Sequence, residues 1–276
     1  MNSTDDLPSP RHLILDLDGT LIREDEPLPG AAELLARYRG RCVIVSNNST
    51  HTARGVARRL ARMGLAIEPA HVVLAGESTV AHLRRAHADA RILLAASRSL
   101  RRHALAQGCT LVEADADLVV LALDPHFNHA RLARLANELR RGARLIATNG
   151  DDNHPGPGGT LVPETGALLA ALTAASGVAP MAVLGKPGPL LFEEGLRRLG
   201  PGATRANTIV IGDNPATDLR AARGPASRGR CGQPGRTGGS ARAADAQGSA
   251  GPPRVVLSPS GSGLGVARPW GALSTA

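Results

Sequence analysis

The chain has 276 residues and a mass of 28.4 kDa, so we expect a core domain with an insertion or a second domain. Hydrophobic residues make up 42% and charged residues 20%, which is typical of a soluble globular protein and excludes a wholly disordered one. The formal net charge is +8, but residues 224–276 hold six arginines against one aspartate, so the rest of the chain is only mildly basic.

The sequence carries no sign of a membrane or export segment. The longest apolar stretches, such as 117–123, are far shorter than the roughly 18–20 residues that a transmembrane helix needs. The opening MNSTDDLPSP lacks the basic and apolar parts of a signal peptide. We therefore predict a cytoplasmic protein with no membrane partner. The three cysteines are scattered without zinc-ligand spacing and are predicted to be reduced: Cys42, Cys109 and Cys231.

The first part of the chain alternates short apolar runs with helical patterns. Strands are predicted over 12–18, 41–47 and 71–76, with helices over 30–40 and 52–64 between them. Continuous apolar runs of this kind are typical of parallel strands that are covered by helices on both faces. A parallel α/β domain is therefore expected.

A second α/β series follows, with a helix near 77–88 and strands over 91–96, 117–123 and 144–149. Helices are predicted between these strands and near 164–176. A short strand over 181–184, a helix near 188–199 and a strand over 207–213 then indicate a return to the first domain. We predict a discontinuous Rossmann-like core over 1–76 and 176–223, with an α/β cap over 77–175.

The C-terminal segment 224–276 has a different character. Glycine, proline and serine supply 25 of its 53 residues, and only Val255, Val256 and Leu257 form an apolar run. Such a composition buries too little apolar surface to offset its ordering entropy, so the segment is predicted to be largely disordered, with at most a short strand around Arg254–Leu257.

Acidic side chains end the first strand. Asp16 and Asp18 are separated by one residue, so both carboxylates are expected on one side at the carboxyl end of the strand, where open α/β sheets bind ligands. A hard divalent cation would offset their repulsion, and Mg²⁺ suits oxygen ligands and phosphate substrates. An Asx turn that merely ends the strand is the alternative reading of this motif on its own.

Three further strand ends carry polar groups. Ser46 and Asn47 end the second strand and are suited to holding phosphate oxygens, although alone they would more often form a loop or a helix cap. Lys186 is the only lysine among 32 basic residues, which indicates a position that needs an ammonium group. Asp213 and Asp218 follow the last strand and supply further carboxylates.

The ordered set DxDGT, S-N-N, GKP and GDxxxTD resembles the four motifs of the haloacid dehalogenase (HAD) superfamily of aspartate-nucleophile phosphatases. The large α/β insertion between the second and third motifs is similar to the C2-type cap of the NagD-like branch. The resemblance covers about residues 11–223. It implies an Mg²⁺-dependent hydrolase of small phosphate monoesters, such as sugar phosphates or nucleotides, that acts through an aspartyl-phosphate.

The resemblance also implies a role for each motif residue. Asp16 would be the nucleophile and Asp18 the general acid and base, whereas the phosphoryl group would be held by four residues: Thr20, Ser46, Asn47 and Lys186. Mg²⁺ would be bound by the Asp16 side chain, the Asp18 backbone carbonyl and Asp213, with Asp218 orienting these ligands. A homodimer formed through the cap is one possible assembly.

The cap is expected to select the substrate. Asp151, Asp152, Asn153 and His154 are candidate contacts, and a solvated turn is an equally good reading for each of them. Two cap histidines without a persuasive metal spacing are predicted to lie on the surface: His126 and His129.

The chain departs from the family after residue 223, because the segment that follows has the Pro- and Gly-rich pattern of a shifted reading frame rather than of a strand. If so, the last core strand would be left as an exposed edge. A catalytically impaired remnant or a non-catalytic phosphate-ligand-binding protein is therefore the alternative function. Nucleic-acid binding is not expected, because the tail has only six arginines in 53 residues and no aromatic residues interleaved with them.

Overall fold

A computed structural model describes residues 11–219 and 254–257. The strands are β1 (His12–Leu15), β2 (Ile22–Arg23), β3 (Glu26–Pro27), β4 (Cys42–Ser46), β5 (Val72–Leu74), β6 (Arg91–Ala95), β7 (Thr110–Leu111), β8 (Leu118–Leu121), β9 (Arg144–Ala147), β10 (Asn153–Pro155), β11 (Leu161–Pro163), β12 (Ala182–Val183), β13 (Thr208–Gly212) and β14 (Arg254–Leu257). The α-helices are α1 (Ala31–Arg37), α2 (Ala53–Arg62), α3 (Ala75–Ala86), α4 (Arg98–Ala106), α5 (His129–Arg140), α6 (Thr165–Ser176) and α7 (Leu190–Arg198). A π-helical turn covers Pro215–Leu219.

The core is a five-stranded parallel sheet in the order β14-β13-β1-β4-β5. Alternate residues of its strands pack against α1 and α2 on one face and against α7 on the other. This two-sided burial explains why β1 and β4 are continuous apolar runs rather than alternating ones. The predicted parallel α/β core is confirmed.

The cap contains a second five-stranded parallel sheet, in the order β12-β9-β8-β6-β7. Helix α4 packs on one face of this sheet, whereas α5 and α6 pack on the other. The antiparallel hairpin of β10 and β11 lies between β9 and α6 in the chain.

The strand β12 differs from the sequence prediction. The boundary at residue 176 assigned it to the core, but Ala182 and Val183 pair with Ile146 and Ala147 at the edge of the cap sheet. A two-residue apolar strand carries no local signal of the sheet that it joins. The cap therefore extends at least to Val183, and the other limits of the predicted domains stay predictions.

The strand β14 also corrects an expectation. Arg254–Leu257 pairs in parallel with Ile209–Gly212 of β13, so β13 is not the exposed edge that the sequence indicated. The short strand predicted around these residues is confirmed. The remainder of 224–276, including Cys231, lies outside the described residues. Cys42 and Cys109 are free and buried, and burial raises the pKa of Cys42 to about 11, which keeps this thiol protonated at neutral pH.

We expect truncation after Arg223 to lower the free energy of unfolding by about 1–3 kcal/mol, because it removes β14 and leaves the backbone groups of β13 unpaired on one side. Truncation after Ser258 retains β14 and is the control. Chemical denaturation of both forms measures the difference, and equal stabilities would contradict a stabilising role for β14.

Within the part of the chain that the structure describes, no helix combines the length and the apolar character that crossing a membrane requires.

Candidate active site

The first acidic motif forms a tight turn at the end of β1. The amide of Asp16 still donates to the carbonyl of Ile211 at 2.8 Å, which holds this buried aspartate against β13. The carbonyl of Leu17 accepts from the amides of Leu21 and Ile22, so the chain folds back immediately after the motif. The Thr20 hydroxyl donates to Asp16 Oδ2 at 3.4 Å.

The ammonium group of Lys186 is the centre of the site. Its Nζ donates to Asp16 Oδ1 at 2.5 Å and to Asp218 Oδ1 at 2.7 Å, and the lysine is 6% exposed. Burial alone would lower the pKa of Lys186, but the two carboxylates outweigh it and raise this pKa above its ordinary value. The lysine is therefore a permanent cation at neutral pH.

Burial is also the main influence on Asp16. It raises the pKa of this carboxyl to about 7, with Asp218 adding to the rise and Lys186 opposing it. The site thus crowds more acids together than its one ammonium group can neutralise, which is the electrostatic condition for binding a cation.

The residues present fit a hard divalent metal ion. One carboxylate oxygen from each of Asp16, Asp213 and Asp218 lies within 4.8 Å of the other two. Oxygen donors of this kind suit Mg²⁺. Asp218 lies in the cluster while also accepting from Lys186 and from the amide of Asn214 at 3.2 Å. The division into direct ligands and orienting residues stays a prediction.

Glycine is required where the turn approaches this cluster. A Cβ on Gly19 would lie 2.0 Å from Asp213 Oδ2, and the φ of Gly19 is +81°. A Cβ on Gly212 would lie 2.1 Å from Asp218 Oδ2. The close approach of backbone to carboxylate therefore depends on the absence of a side chain at both positions.

We expect Gly19→Ala to lower turnover of the phosphate esters that the sequence predicts as substrates at least about 100-fold, because the new methyl group displaces Asp213 from the acidic cluster. Gly64→Ala is the matched control, since Gly64 also has a positive φ of +78° but has nothing within 4 Å of its Cβ position. Both variants should lose about 1 kcal/mol of stability. Equal turnover of the two variants in steady-state assays would contradict the role of this contact.

Asn47 holds two segments of the chain rather than presenting a free amide. Its Nδ2 donates to Asp151 at 3.0 Å and to the carbonyl of Lys186 at 3.1 Å, and its Oδ1 accepts from the amide of Lys186 at 2.7 Å. Its side chain is thus occupied by protein partners, and the predicted phosphate contact would have to come from its backbone. The neighbouring Ser46 hydroxyl, at the end of β4, accepts from the amide of Asn48 at 3.1 Å.

The cap reaches the core through residues that follow β9. Asn149 Nδ2 donates to the carbonyl of Asn47 at 2.7 Å, and its Oδ1 accepts from the amide of Asp151 at 3.2 Å. Gly185 makes this junction possible, because a Cβ there would lie 2.7 Å from the carbonyl of Thr148. Sequence reasoning did not select Asn149, although it ends a parallel strand as the predicted core residues do.

Asp18 is exposed, and charges from both the core (Arg59) and the cap (His154) act on its carboxylate, so it borders the cleft between core and cap. Desolvation within the cleft raises the pKa of Asp18, opposed by the positive charges of Arg59, Lys186 and His154 and assisted by Asp213. A carboxyl group with a raised pKa is suited to exchange a proton.

Of the other cap candidates, His154 Nδ1 lies 2.8 Å from Glu164 Oε1, and the carbonyl of Asp152 accepts a hydrogen bond from the Glu164 amide. His154 and Asp152 therefore lie at the cap hairpin, together with Asn153 at the start of β10. His126 and His129 are exposed, as expected.

Comparisons with known proteins agree with this geometry. Residues 13–110 match the model of the haloacid dehalogenase-like hydrolases, and residues 183–225 match a second HAD-hydrolase-like model. The chain is 32% identical over 211 residues to the 5'-nucleotidase YutF of Bacillus subtilis. This alignment covers 75% of this chain and 81% of the relative. It is 28% identical over 214 residues to the ribonucleotide monophosphatase NagD of Escherichia coli, covering 76% and 82%.

Solved structures give the same result. A 4-nitrophenylphosphatase from Thermotoga maritima superposes with a TM-score of 0.71 at 32% identity, over 76% of this chain and 81% of that one. A glycerol phosphate phosphatase from Mycobacterium tuberculosis, in complex with magnesium, superposes with a TM-score of 0.70 at 34% identity, over 77% and 64%.

A capped α/β core whose strand ends gather an aspartate pair, a buried lysine and an acidic cluster defines a hydrolase. The chain belongs to the haloacid dehalogenase-like hydrolase family, and within it to the NagD-like phosphatases.

Proposed function

We propose that the protein is an Mg²⁺-dependent hydrolase of small phosphate monoesters that works through an aspartyl-phosphate on Asp16. The observation that carries the proposal is the buried ammonium of Lys186, which contacts both Asp16 and Asp218 beside the cleft. A phosphoryl group placed at this point would meet a nucleophile and a fixed positive charge together.

The chemistry divides between the two aspartates of the first motif. The Asp16 carboxylate attacks phosphorus, the ester P–O bond breaks, and the leaving oxygen takes a proton from Asp18. Asp18 then accepts a proton from the water that attacks the phosphoryl group, which breaks the bond to Asp16 and releases inorganic phosphate. The raised pKa of Asp18 and its exposure to the cleft support this assignment.

The carboxylates of Asp16 and Asp213 would hold the metal ion, and Asp218, whose carboxylate lies within 4.8 Å of theirs, would orient them. When bound, Mg²⁺ supplies positive charge that screens the negative nucleophile from the negative phosphate. The predicted contribution of the Asp18 carbonyl and the orienting role of Asp218 remain part of the proposal.

The phosphoryl oxygens would be held by Lys186, Ser46 and Thr20. Lys186 is a compact charge fixed by two carboxylates, and the two hydroxyl groups border Asp16 and the end of β4. Asn47 is better suited to positioning, because its side-chain amide ties the Lys186 loop to Asp151. These bonds hold the backbone of Lys186 where its ammonium group can contact Asp16.

The relatives support a small phosphorylated metabolite as substrate, such as a sugar phosphate or a nucleotide. Their names include a 5'-nucleotidase, a dihydroxyacetone phosphatase and a D-glycerol 3-phosphate phosphatase. The cap loop that begins at Asp151 reaches Asn47, so substitutions in this loop should alter the choice among such esters. We also propose a cytoplasmic location, and a homodimer through the cap stays a prediction.

The alternative of an impaired remnant or a non-catalytic binding protein rested on the abnormal C-terminal segment, which was expected to leave an open edge at β13. Because β14 pairs along that edge, nothing in the described residues favours it over catalysis.

We expect 4-nitrophenyl phosphate hydrolysis to cease in excess EDTA and to return when Mg²⁺ exceeds the chelator, because the carboxylate cluster lacks enough positive charge without the metal. Phosphate release from nucleoside monophosphates, triose phosphates and glycerol phosphates then ranks the substrates. Full activity in EDTA would contradict the metal requirement, and inactivity on every ester would contradict the function.

A further inference from the structure

A crevice lies at the carboxyl end of the cap sheet. Its volume is about 400 Å³, and it opens where β6 and β8 end. The residues that line it are Ala96, Arg98, Arg101, Asp124, His126 and Arg131.

The topology of the cap explains why a crevice forms there. From β6 the chain passes through α4 to β7 on one side, whereas from β8 it passes through α5 to β9 on the other side. Helix α4 packs on one face of the sheet and α5 on the opposite face. Such a reversal of strand order leaves a gap between two diverging connections, and open α/β sheets bind ligands in this gap.

The lining of the crevice is basic. Three arginines and one aspartate line the crevice, and Glu113, outside the lining, pairs with Arg101 at 3.0 Å, so Arg98 is the one lining arginine without a carboxylate partner among the described residues. Arg131 is paired with the buried Asp124, and Arg101 donates to the carbonyl of Leu94 at 2.5 Å. These contacts fix both guanidinium groups and leave further N–H donors on each of them.

Arg98 is the lining arginine whose guanidinium group has no protein partner among the described residues. It is exposed and, among the residues that the structure describes, it has neither an ion pair nor a side-chain hydrogen bond. It is the first residue of α4, directly after the N-cap Ser97, so the partial positive charge of the helix terminus adds to its own charge. The N-terminus of α5, capped by Asn128, borders the crevice from the opposite side.

None of the residues that line the crevice is among the described residues that contact Asp16, Lys186 or Asp218. Asn149, after β9, contacts Asn47, whereas Ser97, after β6, donates to the carbonyl of Thr50 at 2.7 Å. Two strand spacings separate β9 from β6, which is about 10 Å along the sheet. The crevice, at the ends of β6 and β8, is thus displaced along the cap sheet from the contact between Asn149 and Asn47.

We propose that this crevice is a second binding site, for a small organic anion that carries a phosphate or carboxylate group. Guanidinium groups bind both kinds of anion through paired hydrogen bonds, and the volume is that of a metabolite site. The proposal does not depend on the reaction at Asp16.

Chemical labelling tests the site directly. Phenylglyoxal modifies accessible arginines, and mass spectrometry of the peptides measures the labelling rate of Arg98 against that of Arg102, an exposed residue of the same helix outside the crevice. We expect about 1 mM inorganic phosphate or succinate to slow labelling of Arg98 at least about threefold while Arg102 is unchanged. Protection by phosphate alone or by succinate alone identifies which anion the site takes.

Labelling of Arg98 that neither anion slows at about 10 mM, or equal slowing of Arg98 and Arg102, would overturn the proposal. A second measurement tests whether the crevice and the site around Asp16 are separate sites. Arg98→Ala should bind one fewer phosphate per chain in equilibrium dialysis and keep the parent's rate of 4-nitrophenyl phosphate hydrolysis relative to Arg102→Ala. If Arg98→Ala loses hydrolysis and phosphate binding together, the crevice is an extension of the catalytic cleft and the proposal fails.

Discussion

Replacing Asp16 by asparagine is expected to lower the turnover of phosphate esters by at least about 10⁴-fold. The amide has almost the volume of the carboxylate, but it cannot form an acyl phosphate that water then cleaves. It also removes one oxygen ligand charge from the acidic cluster and one of the two partners of Lys186. The substitution therefore removes the nucleophile and weakens the metal-binding cluster at the same side chain.

Steady-state hydrolysis of 4-nitrophenyl phosphate measures this loss, and circular dichroism shows whether the variant is folded. Asp89→Asn, which changes an exposed aspartate of the cap, is the control and should keep the parent's rate. A folded Asp16→Asn protein within tenfold of the parent's turnover would exclude Asp16 as the nucleophile.

Removing the ammonium group of Lys186 is expected to have the second largest effect. Lys186→Met keeps the length of the side chain but leaves the buried carboxylates of Asp16 and Asp218 without their cation. Breaking a buried ion pair in this way costs about 3–5 kcal/mol. We also expect turnover to fall by about 10³-fold or more, because the lost charge faces the phosphoryl group.

The measurements are chemical denaturation in EDTA, where no metal can substitute for the lysine, and hydrolysis in the presence of Mg²⁺. Lys186→Arg should also be impaired, since the planar guanidinium is too large for a group that is 6% exposed and held by two carboxylates. Arg39→Met removes an exposed charge and is the control. Parent-like turnover of Lys186→Arg would show that any cation suffices at this position.

The core and its charged centre could be predicted because their signals are local. A strand that is buried on both faces reads as an uninterrupted apolar run, and the residue that follows it is placed at the ligand-binding edge by the topology alone. Asp16, Lys186 and Asp218 were therefore expected to converge, and the structure brings them into hydrogen-bond contact. Lys186 had the further signal of being the only lysine in an arginine-rich chain.

Long-range pairings could not be predicted in the same way. The strand β12 joins the cap strand β9, and its two residues carry no local preference for a cap strand over a core strand. The pairing of β14 with β13 spans more than forty residues of unusual composition. The positioning role of Asn47 was equally hidden, because it depends on which side chains the folded cap brings to its amide.

The position of β12 also matters for building hybrid proteins. A cap transplanted with a junction at residue 176 would arrive without the edge strand that pairs with Ile146 and Ala147. A junction placed after Val183 keeps the donor's sheet whole, but it then enters the active site within three residues, at Lys186. A hybrid that takes its cap from a relative should therefore keep the donor's β12 and the recipient's Lys186, with the junction at Leu184–Gly185. Residue 185 must stay glycine in such a hybrid, because a Cβ there would collide with the side chain of Asn47.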